Sequence, residues 1–258
     1  MLRSIMVETG DSPQAVAAMD TALWLAKAFK ARLYALTCLD ERAVESEHVR
    51  RMLEEHTRER QVRLETRCRE AGVECVCDIE VGDPHAAIVH LSRKADLMVL
   101  GSGPDPEAQA RGFASMGLSL AREVVRHVLV VRDKMPTFKS VVVGYAGREN
   151  SCNALQLAAH IAEKARGTVH VVSSSPDLAA ATSLLNIATT YLSAFKVKAI
   201  AHHATREAGD ALFETVKEVG ADLVAIGAIR RSRLTMIAFG DTASRVLDTS
   251  PASVLIGR

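Results

Sequence analysis

The sequence is poor in aromatic residues and carries almost no net charge. Aromatic side chains make up 4% of the 258 residues, which argues against a stacking platform for single-stranded nucleic acid. The 32 Lys and Arg residues nearly balance the 31 Asp and Glu residues, leaving a formal net charge of +1. Because no overall positive field attracts nucleic acid or a membrane surface, we expect neither as a partner.

The sequence also shows no targeting segment and no cysteine spacing typical of a disulfide framework. The amino-terminal residues lack the apolar region and small-residue cleavage site of a secretion signal. The longest uncharged stretch, between Leu178 and Phe195, is interrupted by Ser, Thr and Asn side chains, so it is too polar for a membrane span. The 5 cysteines form no framework spacing and fit a reducing compartment. These features predict a cytoplasmic protein.

Common catalytic motifs do not occur in the chain. It has no Walker phosphate loop, dinucleotide-binding fingerprint, metalloprotease helix or nucleophile elbow. A conventional hydrolase is therefore disfavoured, and whether the protein is an enzyme stays open at this point.

An internal repeat organises the sequence. The run Ala-Asp-Leu-Met-Val-Leu-Gly that ends at Gly101 returns as Ala-Asp-Leu-Val-Ala-Ile-Gly, which ends at Gly227, and Gly82-Asp83 returns as Gly209-Asp210. A repeat of this length in a chain long enough for two cores predicts two domains. We place them at residues 1–133 and 138–258, with the polar segment Asp-Lys-Met-Pro-Thr between them.

Each half alternates short β-branched runs with amphipathic stretches, which is typical of βαβ units and a parallel sheet covered on both faces. We predict strands near residues 4–8, 32–38, 75–81, 97–101 and 128–132, and again near 140–145, 168–173, 197–202, 223–227 and 253–256. Helices of the first half are predicted near residues 13–30, 41–71, 84–93 and 116–126. The last strand of each half is apolar, and because an uncovered edge favours aggregation we expect these two strands to pair antiparallel.

The second half contains a more specific pattern. Val-Gly-Tyr-Ala-Gly-Arg-Glu-Asn-Ser follows its first strand, and Gly227 and Gly240 follow its fourth. Together with the Ala-Asp-Leu strand entries, these residues resemble the universal stress protein family, in tandem form and over essentially the whole chain. The resemblance implies two repeated five-stranded, Rossmann-like domains of the adenine-nucleotide-hydrolase type, with helices on both faces of each parallel sheet.

The resemblance also implies a candidate nucleotide or anion cleft. Many family members bind ATP through an Asp after the first strand and a Gly-x2-Gly-x9-Gly-Ser/Thr run after the fourth, where glycines let backbone amides approach phosphates. The matching positions of this sequence are Gly10, Asp11, Gly101, Gly103 and Gly117 in the first half, and Gly144, Gly227, Arg230, Gly240 and Thr242 in the second.

Several of these positions depart from the nucleotide pattern. In the second half Ala146 stands in place of the Asp, Arg230 in place of the middle Gly, and Asp241 in place of the final Ser or Thr. A carboxylate at residue 241 would repel a phosphate. We therefore expect ATP to bind weakly or not at all, with any residual anion affinity near Arg230, and no cofactor is firmly predicted.

Two clusters outside that pattern have alternative interpretations. Arg230, Arg231 and Arg233 offer guanidinium groups for an anion, or pair with neighbouring carboxylates on a solvated loop. Cys75 and Cys77 share one face of a predicted strand, which makes them candidates for a metal or redox pair, although buried strand cysteines need no cofactor.

The uncharged segment between Leu178 and Phe195 suggests a partner surface. It takes the repeat position of the charge-rich segment 41–71. Its predicted helix is expected to pack Leu184, Ala188, Tyr191 and Phe195 on the sheet and to expose Thr182, Asn186, Thr189 and Ser193. Because interface cores are depleted of charge, this outer face favours a homo-oligomer contact, with a cover over the ligand cleft as the alternative.

The leading functional hypothesis is a non-catalytic stress-response or regulatory binding protein with degenerate nucleotide motifs and an unidentified regulatory partner. One alternative is an ATP-binding stress protein with weak hydrolysis. The other is a metal or redox protein that uses Cys75 and Cys77.

Overall fold

The computed structural model describes residues 2–39, 46–102, 120–121, 123–228 and 241–258. The strands in this part of the chain are β1 (Ser4–Glu8), β2 (Arg32–Leu39), β3 (Cys75–Val81), β4 (Leu97–Gly101), β5 (His127–Val131), β6 (Ser140–Gly144), β7 (Thr168–Ser174), β8 (Lys198–Ala204), β9 (Leu223–Gly227) and β10 (Ser253–Gly257). The helices are α1 (Pro13–Phe29), α2 (Glu47–Ala71), α3 (Pro84–Leu91), α4 (Glu149–Ala165), α5 (Leu178–Leu192), α6 (Ala208–Val219) and α7 (Asp241–Thr249). The predicted α/β class with two repeats is confirmed.

The chain divides into two compact units. The first consists of Met1–Leu120, Val124–Arg126 and Asp133–Met135. Its strands lie in the order β3-β2-β1-β4 and all run parallel. Ile5 lies opposite Leu33 on one side and opposite Leu97 on the other, and all three side chains are fully buried. Burial on both faces explains why β1 and β4 are continuous apolar runs.

The second unit consists of Ala121–Glu123, His127–Arg132 and Pro136–Arg258. Its strand order is β5-β10-β9-β6-β7-β8. Every pair is parallel apart from β10 with β5, which is antiparallel, with Leu255 opposite Leu129. The expected antiparallel pairing of the two closing strands is therefore confirmed, and β5, although it ends the first sequence repeat, lies in the second unit.

Two arginines reinforce this pairing in a reciprocal way. Arg132 follows β5 and its guanidinium donates to the carbonyl of Leu247 on α7. Arg258 follows β10 and its guanidinium donates to the carbonyl of Ala121. Each closing strand is thus tied to the helical residues that precede the other strand.

The aspartate of each Ala-Asp-Leu run has a structural role. Asp96 accepts hydrogen bonds from the backbone N–H groups of Arg3 and Ser4, at 2.7 and 3.1 Å. In the second unit Asp222 accepts from the N–H groups of Thr137 and Phe138, at 2.5 and 3.2 Å. These bonds fix the start of β1 and of β6, so the repeated aspartate organises the sheet.

Capping residues set the helix boundaries of the first unit. Asp83 caps α3, accepting from the N–H of Ala86, and Pro84 is the first helical residue, as the Gly-Asp-Pro sequence predicts. Ser46 caps α2 and has an extended backbone. The prediction that this helix begins at residue 41 is therefore wrong, since an extended cap cannot belong to the helix. Residues 41–45 lie outside the described residues, as do residues 116–119 and 122 of the helix predicted at 116–126.

Among the helices of the described ranges, none is both long and apolar enough to cross a membrane.

Candidate functional site

The candidate cleft of the first unit lies where the strand order changes direction. β1 lies between β2 on one side and β4 on the other. Open α/β sheets bind ligands beyond the carboxyl ends of their strands at such a point. Gly10 and Asp11 follow β1 directly, and Gly101 is the last residue of β4. The fold therefore brings these three sequence-predicted residues to one edge of the sheet.

The geometry gives Gly101 a packing role. A Cβ at this residue would lie 2.6 Å from the backbone of Gln14 and 2.8 Å from the N of Ala15, in the first turn of α1. Only glycine allows so close an approach. At Gly10, a Cβ would be 3.0 Å from the Cβ of Ala15. Both glycines are thus explained by the seating of α1 on the sheet edge.

Asp11 is engaged by α2. Its carboxylate lies 2.9 Å from Nε2 of His56 and accepts from Nε of Arg60 at 3.2 Å, with a further contact to the Arg60 guanidinium. The hydrogen bond with His56 lowers the pKa of Asp11; burial opposes this effect and Arg60 adds to it. The sequence analysis missed both partners, although their spacing of one helical turn on a charged helix was a usable signal.

Glu8 ends β1 beside these residues and is partly buried. Burial raises the pKa of Glu8 to about 7. The nearby Cys38 thiol has its pKa raised to about 12, first by burial and then by the charge of Glu8. A carboxyl group that titrates near neutral pH therefore lies at the edge of the first cleft, a feature that the sequence analysis did not identify.

The corresponding edge of the second unit lacks the two carboxylates of the first, because Gly144 and Gly147 take the places of Glu8 and Asp11. Gly144 ends β6, where a Cβ would meet the side chain of Leu212 at 3.2 Å. Ala146 is exposed, and Gly147 adopts a φ of 66°. The turn is held by Ser151, whose hydroxyl accepts from the N–H of Arg148 at 3.0 Å.

Gly227 repeats the packing seen at Gly101. A Cβ there would lie 2.6 Å from the N of Ser151 in the first turn of α4. Asn150, in the same turn, donates its side-chain amide to the carbonyl of Ala228. The glycine pattern shared by the two halves is thus accounted for by helix packing at both fourth strands.

Some sequence-predicted site residues cannot be placed. Gly103, Gly117, Arg230 and Gly240 lie outside the described residues, as do Arg231 and Arg233. Thr242 belongs to the first turn of α7. The arginine cluster therefore stays a sequence-based prediction.

The two cysteines of β3 lie on one face, as predicted. The Sγ atoms of Cys75 and Cys77 are 3.8 Å apart. The thiol of Cys68, on α2, also interacts with that of Cys75, which the sequence analysis did not anticipate. Among the residues that the structure describes, no group of three or more side chains is arranged to hold a metal ion.

His202 and His203 contact different groups, in keeping with their opposite directions on β8. Nε2 of His202 lies 3.0 Å from Nδ1 of His170 on β7, whereas Nε2 of His203 lies 2.9 Å from the carbonyl of Ser175. Burial and the neighbouring His202 lower the pKa of His170.

Helix α5 has the uncharged outer face that the sequence predicts, but its register differs from the prediction. The buried residues are Ala181, Leu185, Ala188 and Leu192. Tyr191 is 38% exposed, so its expected packing on the sheet is wrong, and the helix ends at Leu192 rather than Phe195. The outer groove is lined by Ala179, Thr182, Ser183, Asn186, Ile187 and Thr190.

Comparison with solved structures supports the same fold over the whole chain. A universal stress protein from Archaeoglobus fulgidus superposes with a TM-score of 0.81 at 17% identity, covering 99% of this chain and 98% of the other. A functionally unknown protein from Pseudomonas aeruginosa superposes with a TM-score of 0.70 at 19% identity, covering 99% and 92%. Comparison with curated proteins gives no match.

The protein is thus of the tandem Rossmann-like α/β class. The model of the universal stress protein family matches it twice, over residues 1–132 and 137–258. The chain therefore belongs to the universal stress protein family.

Proposed function

We propose that this chain is a non-catalytic, regulatory universal stress protein that acts by binding a partner. The observation that carries the proposal is the engagement of Asp11 by His56 and Arg60. A ligand that needed the Asp11 carboxylate would have to displace both side chains. In the second half, neither Ala146 nor Gly147 offers a side-chain acceptor at the positions that match Gly10 and Asp11.

Native mass spectrometry of gently purified protein tests this proposal. We expect the mass of one chain or of two associated chains, without a retained nucleotide. A nucleotide retained in stoichiometric amount would contradict the proposal and favour the alternative of an ATP-binding stress protein. Asp11→Ala is the matched control, because it removes the carboxylate and releases His56 and Arg60. An anion that this variant retains would show that Asp11 occupies these two side chains in the wild type.

The proposed partner surface is the outer face of α5, and the proposed occupant is a second copy of the chain. Leu178 and Ile187 are 61% and 55% exposed, and no charged side chain lies on this helix. Two copies could therefore meet through the same face in a two-fold contact without placing like charges opposite each other. Depletion of charge is what distinguishes the cores of protein interfaces.

A further inference from the structure

A small cavity lies between α2 and the sheet of the first unit. It is lined by Thr9, Ala35, Thr37, Arg60, Gln61, Leu64, Cys77 and Ile79, and has a volume of about 10 Å³. This volume admits a molecule of about the size of water. Its wall combines one thiol, one guanidinium and two hydroxyls, whose oxygens, on Thr9 and Thr37, are 2.6 Å apart.

The thiol in the wall has a second thiol next to it. Cys75 precedes Cys77 by two residues on β3 and their sulfurs are 3.8 Å apart. Two residues along a strand span about 6.6 Å between Cα atoms, which is within the range that a disulfide bridges. β3 is the end strand of its unit and pairs there with one neighbouring strand, β2. One neighbour resists the small backbone adjustment that the disulfide requires less than two neighbours would.

From this arrangement we propose that Cys77 is a site of oxidation by hydrogen peroxide and that Cys75 resolves the product to a disulfide. In the first step the Cys77 thiolate attacks one peroxide oxygen. The O–O bond breaks, the sulfur becomes a sulfenic acid, and the other oxygen leaves as water after taking up a proton. In the second step the Cys75 sulfur attacks the sulfenic sulfur, the S–O bond breaks, and a second water leaves.

The surroundings of Cys77 favour this assignment of roles. The hydrogen bond from Cys75 lowers the pKa of Cys77, and the thiolate is the reactive form. Arg60 lines the same cavity, and its guanidinium can donate a hydrogen bond to the departing oxygen. Cys68, by contrast, is 1% exposed, so peroxide reaches Cys77 more readily. The proposal does not depend on whether the protein binds a nucleotide.

Peroxide treatment of the full chain, followed by alkylation and peptide mass spectrometry, tests the proposal. We expect a disulfide between Cys75 and Cys77 that dithiothreitol reduces, and the same disulfide in Cys68→Ala. In Cys75→Ser the sulfenic acid should persist at Cys77, where dimedone traps it. Cys77→Ser should lower the rate of thiol loss at Cys75 at least about tenfold.

Cys152 provides the internal control, since it is an exposed thiol outside the cluster. We expect Cys77 to be oxidised faster than Cys152 in the same wild-type sample, a comparison that requires no variant to fold. Equal or faster oxidation of Cys152 would overturn the proposal, as would a disulfide that joins Cys68 to either strand cysteine in place of the Cys75–Cys77 bond.

Discussion

The two repeats differ most at the ends of their first strands. In the first repeat this edge carries two carboxyl groups: Glu8 ends β1, and Asp11 is bound by His56 and Arg60 of α2. In the second repeat Gly144 and Gly147 stand at the matching places. The helix that corresponds to α2 is α5, which has no charged side chain. The two repeats share the same backbone fold but differ in the side chains at this edge and on the covering helix.

The difference shows two ways to hold a helix on the same kind of sheet. Helix α2 buries only Thr57, Leu64 and Cys68 along 25 residues, and ion pairs tie it to the rest of its unit. One of these joins Arg67 to Asp20 at 2.5 Å. Helix α5 buries four apolar residues along 15. The first arrangement depends on ion pairs, and the second leaves an uncharged face outward.

The largest expected effect is loss of apolar packing under α5. Leu192→Ala should lower the free energy of unfolding by about 3 kcal/mol, because Leu192 is fully buried and its truncation leaves a cavity. Leu178→Ala is the matched control on the same helix; since Leu178 is 61% exposed, we expect a change within about 0.5 kcal/mol. Urea unfolding measures both, and equal losses would contradict the account of α5.

The next effect concerns the charged edge and depends on pH. The folded-state pKa of Glu8 is raised to about 7, above the unfolded value, so its ionisation opposes folding. This penalty is absent at low pH, grows as the pH rises through the unfolded pKa towards 7, and is then complete. Glu8→Gln should therefore stabilise the protein at pH 8 by up to about 3 kcal/mol.

Urea unfolding of Glu8→Gln at pH 4 provides the control for that prediction. The difference from wild type should vanish there, because Glu8 is then protonated in both states. A stabilisation that is the same at pH 4 and pH 8 would show that ionisation of Glu8 is not its cause.

A smaller effect is expected from the Asp11 network. The pKa of Asp11 is lowered in the folded protein, so its contribution is complete above the unfolded pKa and is lost as the pH falls through the folded one. Because 56% of the side chain is exposed, solvent screening limits the contribution to about 0.5 kcal/mol. Asp11→Asn at pH 7 should show this loss, and 1 M salt should reduce it. A loss that salt does not reduce would argue against ion pairing.

The smallest expected effect is on self-association. Ile187→Glu should shift the concentration dependence of sedimentation towards the monomer without changing the unfolding curve, because Ile187 is 55% exposed and a charge there opposes its copy. Val62→Glu, on the charged α2 at 61% exposure, is the matched control and should leave sedimentation unchanged. A wild-type protein that is monomeric at all concentrations would contradict the proposed contact.

Sequence patterns predicted the repeat, the strands and the pairing of β5 with β10. The strands follow from short apolar runs, which are local features of the sequence, and the pairing follows from the need to cover the apolar edge that each closing strand would otherwise expose. They did not predict that Asp96 and Asp222 fix the starts of β1 and β6, or that His56 and Arg60 reach Asp11. Such contacts join residues far apart in the chain, and only the fold brings them together. The burial of Tyr191 was predicted wrongly because α5 begins with four consecutive small or apolar residues, Leu178 to Ala181. Each of them could be the first residue of the buried face, and the sequence does not show which one is.

We propose that the clefts of this protein do not hold ATP, and calorimetric titration of Mg-ATP into the wild-type chain tests this proposal most directly. We expect a Kd weaker than about 1 mM, which corresponds to less than about 4 kcal/mol of binding free energy. Stoichiometric binding in the micromolar range would contradict it.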